Sequence, residues 1–143
     1  MATSNAKTFE DVLIADMRAH GGAVTSGPLA GHPLLIMTST GARSGQPRLA
    51  ILTYSLDAGD YVVAGTAGGS PTTPSWVHNL ERHPRVEIEV NTQRQSATAR
   101  IVDGAERDRL WQQHVAALPW FAEYPAKSGR VIPMIRLTPD ATA

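Results

Sequence analysis

The chain has 143 residues, with 13 basic and 13 acidic side chains, a formal net charge of zero at pH 7 and 42% hydrophobic residues. This length predicts one domain over residues 1–143, and the zero net charge excludes long-range attraction of nucleic acid, so an anionic ligand has to be held by a local cluster of charges. Because cysteine is absent, disulfides, a thiol nucleophile and cysteine-ligated zinc or iron–sulfur clusters are excluded, and a redox reaction would need an organic cofactor.

The chain starts with a polar segment. Residues 1–7 are expected to form a flexible leader, and they lack the apolar core of a secretory signal. Since no apolar stretch approaches the roughly 20 residues of a membrane helix, we expect no membrane span and a cytoplasmic location.

The first predicted element is a helix over residues 8–22. Thr8 is expected to cap it and Gly21–Gly22 to end it. One face of this helix carries apolar residues at helical spacing, namely Phe9, Val12, Leu13 and Met17.

Six short strands are predicted after a connection rich in glycine and proline. They span residues 34–38, 49–56, 61–65, 86–90, 96–102 and 131–137. Residues 57–60 and 91–95 are polar and predict hairpin turns. The pattern indicates a mainly β fold with flanking helices, a closed or nearly closed small barrel with its core in residues 34–137.

Two further helices interrupt the strands. Thr73–Pro74 predicts the start of the first, and Pro84 its end. Asp103 and Glu106 form a variant of the capping box and predict the start of the second. The apolar residues on these helices are Trp76 and Leu80 in the first, and Trp111, Val115 and Leu118 in the second.

The connection between the first two strands is a candidate anion site. Arg43 and Arg48 flank Ser44, while Gly45 and a second glycine let the backbone bend. Two guanidinium groups and a hydroxyl suit the oxygens of a phosphate or carboxylate. The alternative is a polar hairpin with two solvated arginines. It is not a P-loop, because no Gly-Lys-Ser/Thr ending follows.

A second candidate is the glycine-rich stretch over residues 64–76, which leaves a strand and leads into a helix. Its small residues would let a flat ring lie on the backbone, and the helix N-terminus favours a negative group. The alternative is a plain connection in which Trp76 is a core residue.

The third candidate lies between Leu118 and Tyr124, where aromatic residues adjoin a proline. They can form an apolar lid over a planar substrate, or they can simply pack in the core. The five histidines lack metal-ligand spacing, so no metal site is expected. The chain also lacks G-x-S-x-G, which leaves a serine hydrolase of that type without support.

Taken in order, these stretches resemble the deazaflavin-dependent nitroreductase family, whose members use coenzyme F-420. The likeness rests on T-S-T-G-A-R-S-G-Q-P-R, G-T-A-G-G-S-P-T-T-P-S-W-V-H-N-L, H-P-R-V-E-I-E-V, E-R-D-R-L-W and I-P-M-I-R-L, and covers about residues 34–137. It implies a split β-barrel enzyme that transfers a hydride from reduced deazaflavin to an electron-poor organic acceptor.

The resemblance also assigns roles to residues. It implies that the anionic cofactor tail lies along Arg43, Ser44 and Arg48, and that Tyr124 or solvent delivers a proton. The implied cofactor-binding residues are Arg43, Ser44, Gly45, Arg48, Thr53, Thr66, Ala67, Gly68, Trp76 and Asn79. The implied substrate pocket consists of Leu118, Trp120, Phe121 and Tyr124.

The chain departs from the family pattern at three positions. Ala42 replaces one of two consecutive basic residues, and Leu118 and Phe121 stand where some members have tyrosine. The latter two departures favour activated C=C bonds of quinones, enones or lactones as acceptors over nitro compounds. Two alternatives remain at this point: an FMN-dependent split-barrel reductase or oxidase, and a non-catalytic deazaflavin-binding protein. The expected partner is a small-molecule acceptor and not nucleic acid, and the chain is expected to be a monomer or homodimer.

Overall fold

A computed structural model describes residues 9–25, 30–66 and 71–140. The leader and Thr8 lie outside the described residues. The helices are α1 (Phe9–Ala19), α2 (Ser75–Arg82), α3 (Gly104–Ala117) and α4 (Tyr124–Ser128), with a 3-10 helix at Pro119–Glu123. The strands are β1 (Leu34–Thr40), β2 (Pro47–Thr53), β3 (Ser55–Asp57), β4 (Asp60–Ala64), β5 (Arg85–Val90), β6 (Gln93–Val102) and β7 (Met134–Pro139).

The described strands form one antiparallel sheet in the order β2-β1-β5-β6-β7-β4-β3. Its two edge strands, β2 and β3, are consecutive in the chain and are separated by Tyr54 alone. The sheet therefore has to curl until its edges meet at that residue, where the Tyr54 N–H donates to the Pro33 carbonyl at 3.1 Å. This confirms the predicted mainly β barrel with flanking helices.

The break at Tyr54 corrects the single strand predicted over residues 49–56. The run from Leu49 to Leu56 contains no glycine or proline, so nothing local marks the point where the chain leaves one edge for the other. The break is imposed by the closure of the sheet, since β2 pairs with β1 whereas β3 pairs with β4.

Alternation along the strands separates the inside of the barrel from its outer faces. In β1, Leu35 and Met37 belong to the interior cluster. Leu34 and Ile36 point the other way and pack against Ile14 and Met17 of α1. The interior cluster also receives Val77 and Leu80 from α2. A second outer cluster joins β4, β6 and β7 to α3 and the 3-10 helix. Helices α1 and α3 thus cover outer faces, while α2 packs against the interior core.

The N-terminal helix differs from the prediction in its buried face. Met17 is buried and Leu13 half-buried as expected, but Val12 is 52% exposed and Ile14 is buried instead. The helix ends at Ala19, three residues before the predicted end, and the glycine pair forms the turn that follows: Gly21 and Gly22 have φ values of 69° and 96°, and the Gly22 N–H donates to the Met17 carbonyl at 2.7 Å.

The predicted N-cap of α2 is wrong, whereas the predicted start of α3 at Asp103 is confirmed without its capping box. The N-cap of α2 is Pro74 rather than Thr73, and it makes no side-chain hydrogen bond. Asp103 is the N-cap of α3, but its side chain does not cap the helix. Its expected partner, Glu106, instead pairs with Arg100 at 2.8 Å and with Arg136 at 3.3 Å. Ion pairs to arginines on neighbouring strands therefore replace the capping box.

The turn between β5 and β6 is shorter than predicted. It consists of Asn91 and Thr92, with φ values of 52° and 67°, and β6 begins at Gln93. Positive φ at both central residues is typical of a two-residue hairpin, and asparagine tolerates it better than most residues. Among the described residues, no helix is long and apolar enough to cross a membrane.

Candidate cofactor site

The β1–β2 connection is a tight turn closed by its own backbone. The Gly41 N–H donates to the Gln46 carbonyl at 2.8 Å, and the Gly45 N–H donates to the Gly41 carbonyl at 2.9 Å. Gly45 has φ of 70°, and a Cβ on Gly41 would lie 2.5 Å from the Ser44 hydroxyl oxygen. The positive φ favours glycine at position 45, whereas the close contact at Gly41 is with a side-chain hydroxyl that can rotate.

Ser44 is the polar centre of this turn. Its hydroxyl oxygen accepts a hydrogen bond from the Gln46 N–H at 3.1 Å, and Arg48 Nη2 lies 3.4 Å from the same oxygen. Arg43 precedes Ser44, and both arginines are exposed. Arg48 therefore lies beside the Ser44 hydroxyl, and Arg43 is its neighbour in sequence.

Asn79 fixes the turn to α2. Its Oδ1 accepts from the Ala42 N–H at 2.9 Å, its Nδ2 lies 3.5 Å from the Ser39 hydroxyl oxygen, and its own exposure is only 7%. Since Ala42 is next to Arg43, this hydrogen bond from the turn to a buried side chain of α2 holds the turn against the helix. Asn79 was predicted only as part of the cofactor wall, and the hydrogen bond to Ala42 gives it a specific structural task.

A cleft of about 520 Å³ lies between the turn and α2. It brings together five of the predicted cofactor-binding residues: Arg43, Ser44, Arg48, Trp76 and Asn79. Sequence reasoning missed Ser75 and His78, which also line it. Their spacing of three residues on a helix that carries Trp76 and Asn79 was the available signal, because residues three and four apart share a face.

The cleft carries uncompensated positive charge. Within the described part of the chain, neither Arg43 nor Arg48 has a carboxylate partner, although seven other arginines do. Those seven are Arg18, Arg85, Arg94, Arg100, Arg107, Arg109 and Arg136. Exposed guanidinium groups without carboxylates are available to phosphate or carboxylate oxygens of a ligand.

Three predicted cofactor-binding residues are described but do not line this cleft. Gly45 shapes the turn, Thr53 ends β2 opposite Leu34, and Thr66 follows β4. The remaining two, Ala67 and Gly68, lie outside the described residues. The predicted residues that line the cleft therefore come from the β1–β2 turn and from α2.

The glycine-rich connection is anchored at its two ends by a residue that the sequence analysis did not single out. Arg130 Nη2 lies 2.9, 3.1 and 3.3 Å from the carbonyl oxygens of Gly65, Thr66 and Thr72, which share its two hydrogens. Gly65 also packs closely, since an added Cβ would lie 2.9 Å from both Val77 and Pro133 side-chain carbons. No local pattern signals these contacts, because Arg130 is about 60 residues away in sequence.

The four predicted substrate residues lie at the α3 side of the barrel. Leu118 and Phe121 are buried in the outer cluster, which agrees with the alternative that they pack in the core. Trp120 and Tyr124 are half-buried. The Trp120 ring lies 4.4 Å from that of His32, and the Tyr124 ring stands edge-on to Phe121 at 5.2 Å. None of the four lines the cleft as far as the described residues define it.

His114 is a buried titratable group beside these aromatics. Its Nδ1 lies 2.7 Å from the Ser55 hydroxyl oxygen, and its ring stands edge-on to Phe121 at 4.6 Å. Burial lowers the pKa of His114 from 6.5 to about 4, so the ring is neutral near pH 7. Within the described ranges, no three potential metal ligands cluster together.

Comparison with known proteins identifies the family. The sequence model of the F-420-H2-dependent quinone reductases matches residues 12–139. A protein of Mycobacterium tuberculosis named as such a reductase is 38% identical over 109 residues, which cover 74% of this chain and 73% of that protein.

Solved structures agree with this result. One, an F-420-H2-dependent reductase, superposes with a TM-score of 0.67 at 35% identity and covers 73% of this chain and 93% of its own. Another, described as a domain-swapped dimer, has a TM-score of 0.69 at 32% identity, over 90% of this chain and 97% of its own. The chain therefore belongs to the family of F-420-H2-dependent quinone reductases, which makes it an oxidoreductase with coenzyme F-420 as its cofactor.

Proposed function

We propose that this chain binds reduced coenzyme F-420 with the anionic tail in the cleft between the β1–β2 turn and α2, and reduces quinones and related electron-poor C=C bonds. The observation that carries the proposal is the pair of exposed arginines, Arg43 and Arg48, that face this cleft without carboxylate partners. A phosphate or carboxylate placed between them would form charge-assisted hydrogen bonds, which are about twice as strong as neutral ones.

The residues of the cleft fit the proposed cofactor. The arginines and the Ser44 hydroxyl suit its acidic tail, and the half-buried indole of Trp76 offers a flat apolar wall. When bound, the cofactor supplies the hydride, and the protein contributes orientation and exclusion of water. We propose that the ring lies towards Thr53, Thr66, Ala67 and Gly68, of which the last two lie outside the described residues.

The acceptor would be met by the residues around the 3-10 helix. Since Leu118 and Phe121 are buried, Trp120 and Tyr124 are the members of the predicted pocket with exposed surface to offer. We propose that the Tyr124 hydroxyl donates to the carbonyl oxygen of the acceptor as negative charge develops there, and passes on a proton. An apolar surface with one hydroxyl suits quinones, enones and unsaturated lactones better than nitro groups.

The test is a direct assay of the purified protein. Oxidation of reduced coenzyme F-420 is followed optically with a quinone, an enone, an unsaturated lactone and a nitroaromatic compound as acceptors. We expect turnover with the first three at higher kcat/KM than with the nitro compound. Binding of coenzyme F-420 without turnover on any acceptor would point to a non-catalytic deazaflavin-binding protein.

A second titration separates coenzyme F-420 from FMN. An open cleft with two cations suits a long anionic tail, whereas FMN offers one phosphate. We therefore expect tighter binding of coenzyme F-420, measured through quenching of the protein's tryptophan fluorescence. Equal or tighter binding of FMN would contradict the proposed cofactor.

A further inference from the structure

Arg130 holds together two chain segments that border the proposed ring site. The two hydrogens of its Nη2 are shared among the carbonyls of Gly65 and Thr66, which follow β4, and that of Thr72, which leads into α2. One guanidinium group thus spans the entry and the exit of the glycine-rich connection. Hydrogen bonds to charged groups are stronger than neutral ones, so these contacts order both segments.

The segments that Arg130 holds are linked to the cofactor cleft by a short stretch of chain and by direct packing. Thr72 lies two residues before Pro74, the N-cap of α2, and Ser75 and Trp76 of the first turn line the cleft. Gly65 is packed directly against Val77, and its N–H donates to the Pro133 carbonyl at 2.9 Å. Arg130 and the nearby Pro133 therefore hold the start of α2 in place relative to the end of β4.

Arg130 is itself fixed from the opposite side. Its backbone N–H donates to the Ser128 hydroxyl oxygen at 3.3 Å, and that hydroxyl lies 3.4 Å from the Pro125 carbonyl. Pro125 and Ser128 belong to α4, which begins with Tyr124, and Arg130 follows two residues after its end. Arg130 thus connects the helix that carries the proposed proton donor to the segments that border the proposed ring site.

We infer that Arg130 is a positioning residue for hydride transfer, which sets the distance and angle between cofactor ring and acceptor without touching either. The role rests on the proposed function. Affinity for coenzyme F-420 should depend little on it, because the anionic tail is held by Arg43 and Arg48 on a turn that Asn79 fixes separately. The rate of the transfer should depend on it strongly, since a displacement of 1 Å can cost about 100-fold in rate.

The test compares Arg130→Met and Arg130→Lys with Arg107→Met. Arg107 is a matched control, because its Nε and Nη2 also donate to a backbone carbonyl, that of Ile132, at 3.1 and 2.7 Å. That carbonyl is not in the glycine-rich connection. We expect Arg130→Met to lower the single-turnover rate with a quinone about 10- to 100-fold, with the dissociation constant of coenzyme F-420 changed by less than about threefold. Arg130→Lys should recover part of the rate, since an ammonium group can donate to several carbonyls.

A readout without cofactor completes the test. Amide hydrogen exchange at Thr66 and Val77 should be faster in Arg130→Met than in the wild type, and unchanged in Arg107→Met. If Arg130→Met does not fold, Arg130→Lys carries the same comparison with a smaller effect. Wild-type rates in both Arg130 variants, or an equal loss of rate in Arg107→Met, would overturn the inference. Failure of the wild type to oxidise reduced coenzyme F-420 would instead overturn the proposed function itself.

Discussion

Removal of the Asn79 side chain should separate the shape of the cofactor turn from the stability of the barrel. In Asn79→Ala, the Ala42 N–H loses its acceptor at 2.9 Å, while the neighbouring contact to Ser39, at 3.5 Å, is too long to contribute much. A neutral hydrogen bond contributes about 0.5–1.5 kcal/mol net, and a buried donor left without a partner costs about 1–3 kcal/mol. Because Ala42 is half-buried and water can reach part of it, we expect a total near 1–2 kcal/mol.

That cost can appear in cofactor binding or in unfolding. If the freed turn samples other shapes in the folded protein, the apparent dissociation constant rises by the inverse of the competent fraction. A cost of 1–2 kcal/mol then corresponds to about 5- to 30-fold weaker binding of coenzyme F-420. The free energy of unfolding would fall by no more than the same amount.

Fluorescence titration and chemical denaturation measure the two quantities. Gln113→Ala is the matched control, because Gln113 Nε2 donates to the Leu56 carbonyl at 2.7 Å, away from the cleft. It should lose no cofactor affinity, and less stability than Asn79→Ala, because water can replace this exposed hydrogen bond. Unchanged affinity in Asn79→Ala, together with unchanged unfolding, would refute the idea that Asn79 holds the turn in its binding shape.

Three other changes test other parts of the molecule. Arg48→Ala should raise the dissociation constant of coenzyme F-420 about 10- to 150-fold at low salt, and less at high salt because the site is exposed; an unchanged constant at low salt would make Arg48 a merely solvated residue. His114 has a pKa lowered from 6.5 to about 4, so the unfolded state takes up the proton first, and stability should fall by about 2 kcal/mol between pH 7.5 and pH 5. Denaturation at both pH values should show this loss in the wild type and not in His114→Gln. An equal loss of unfolding free energy in the two proteins would contradict the prediction. Tyr124→Phe should keep cofactor affinity but lower single-turnover reduction of an enone about 10- to 1000-fold, and a silent substitution would make solvent the proton source.

The sequence predicted most of the sheet because its signals are local. Residues 86–90 alternate between apolar and charged side chains, and the observed strand Arg85–Val90 differs by one residue. Features that depend on distant partners were not accessible in the same way. Glu106 resembles a capping residue in sequence, yet it pairs with Arg100, six residues earlier, and with Arg136, which only the folded sheet brings near.

The candidate site divides along the same line. Arg43, Ser44 and Arg48 are close in sequence, so their convergence could be predicted from one turn. Arg130 could not, because its three carbonyl partners lie about 60 residues earlier and backbone carbonyls leave no mark in a sequence. The buried position of His114 was missed for a related reason, since the apolar stripe of α3 was traced through its half-buried neighbours Trp111 and Val115.

The distribution of charge shows how a chain of zero net charge can select an anionic cofactor. The carboxylates that balance Arg43 and Arg48 in the total lie elsewhere, and some of them line a second cleft of about 480 Å³ that also borders α2. That cleft has Glu81, Asp103 and Asp108 on its walls, with Arg107 already paired to Asp108 at 3.3 Å. At physiological ionic strength, charges are screened over about 8 Å, so each cleft acts on a ligand through its own local field. We therefore expect an anion to prefer the cleft of Arg43 and Arg48 to the acidic one, and this preference should weaken together with cofactor affinity as salt is added.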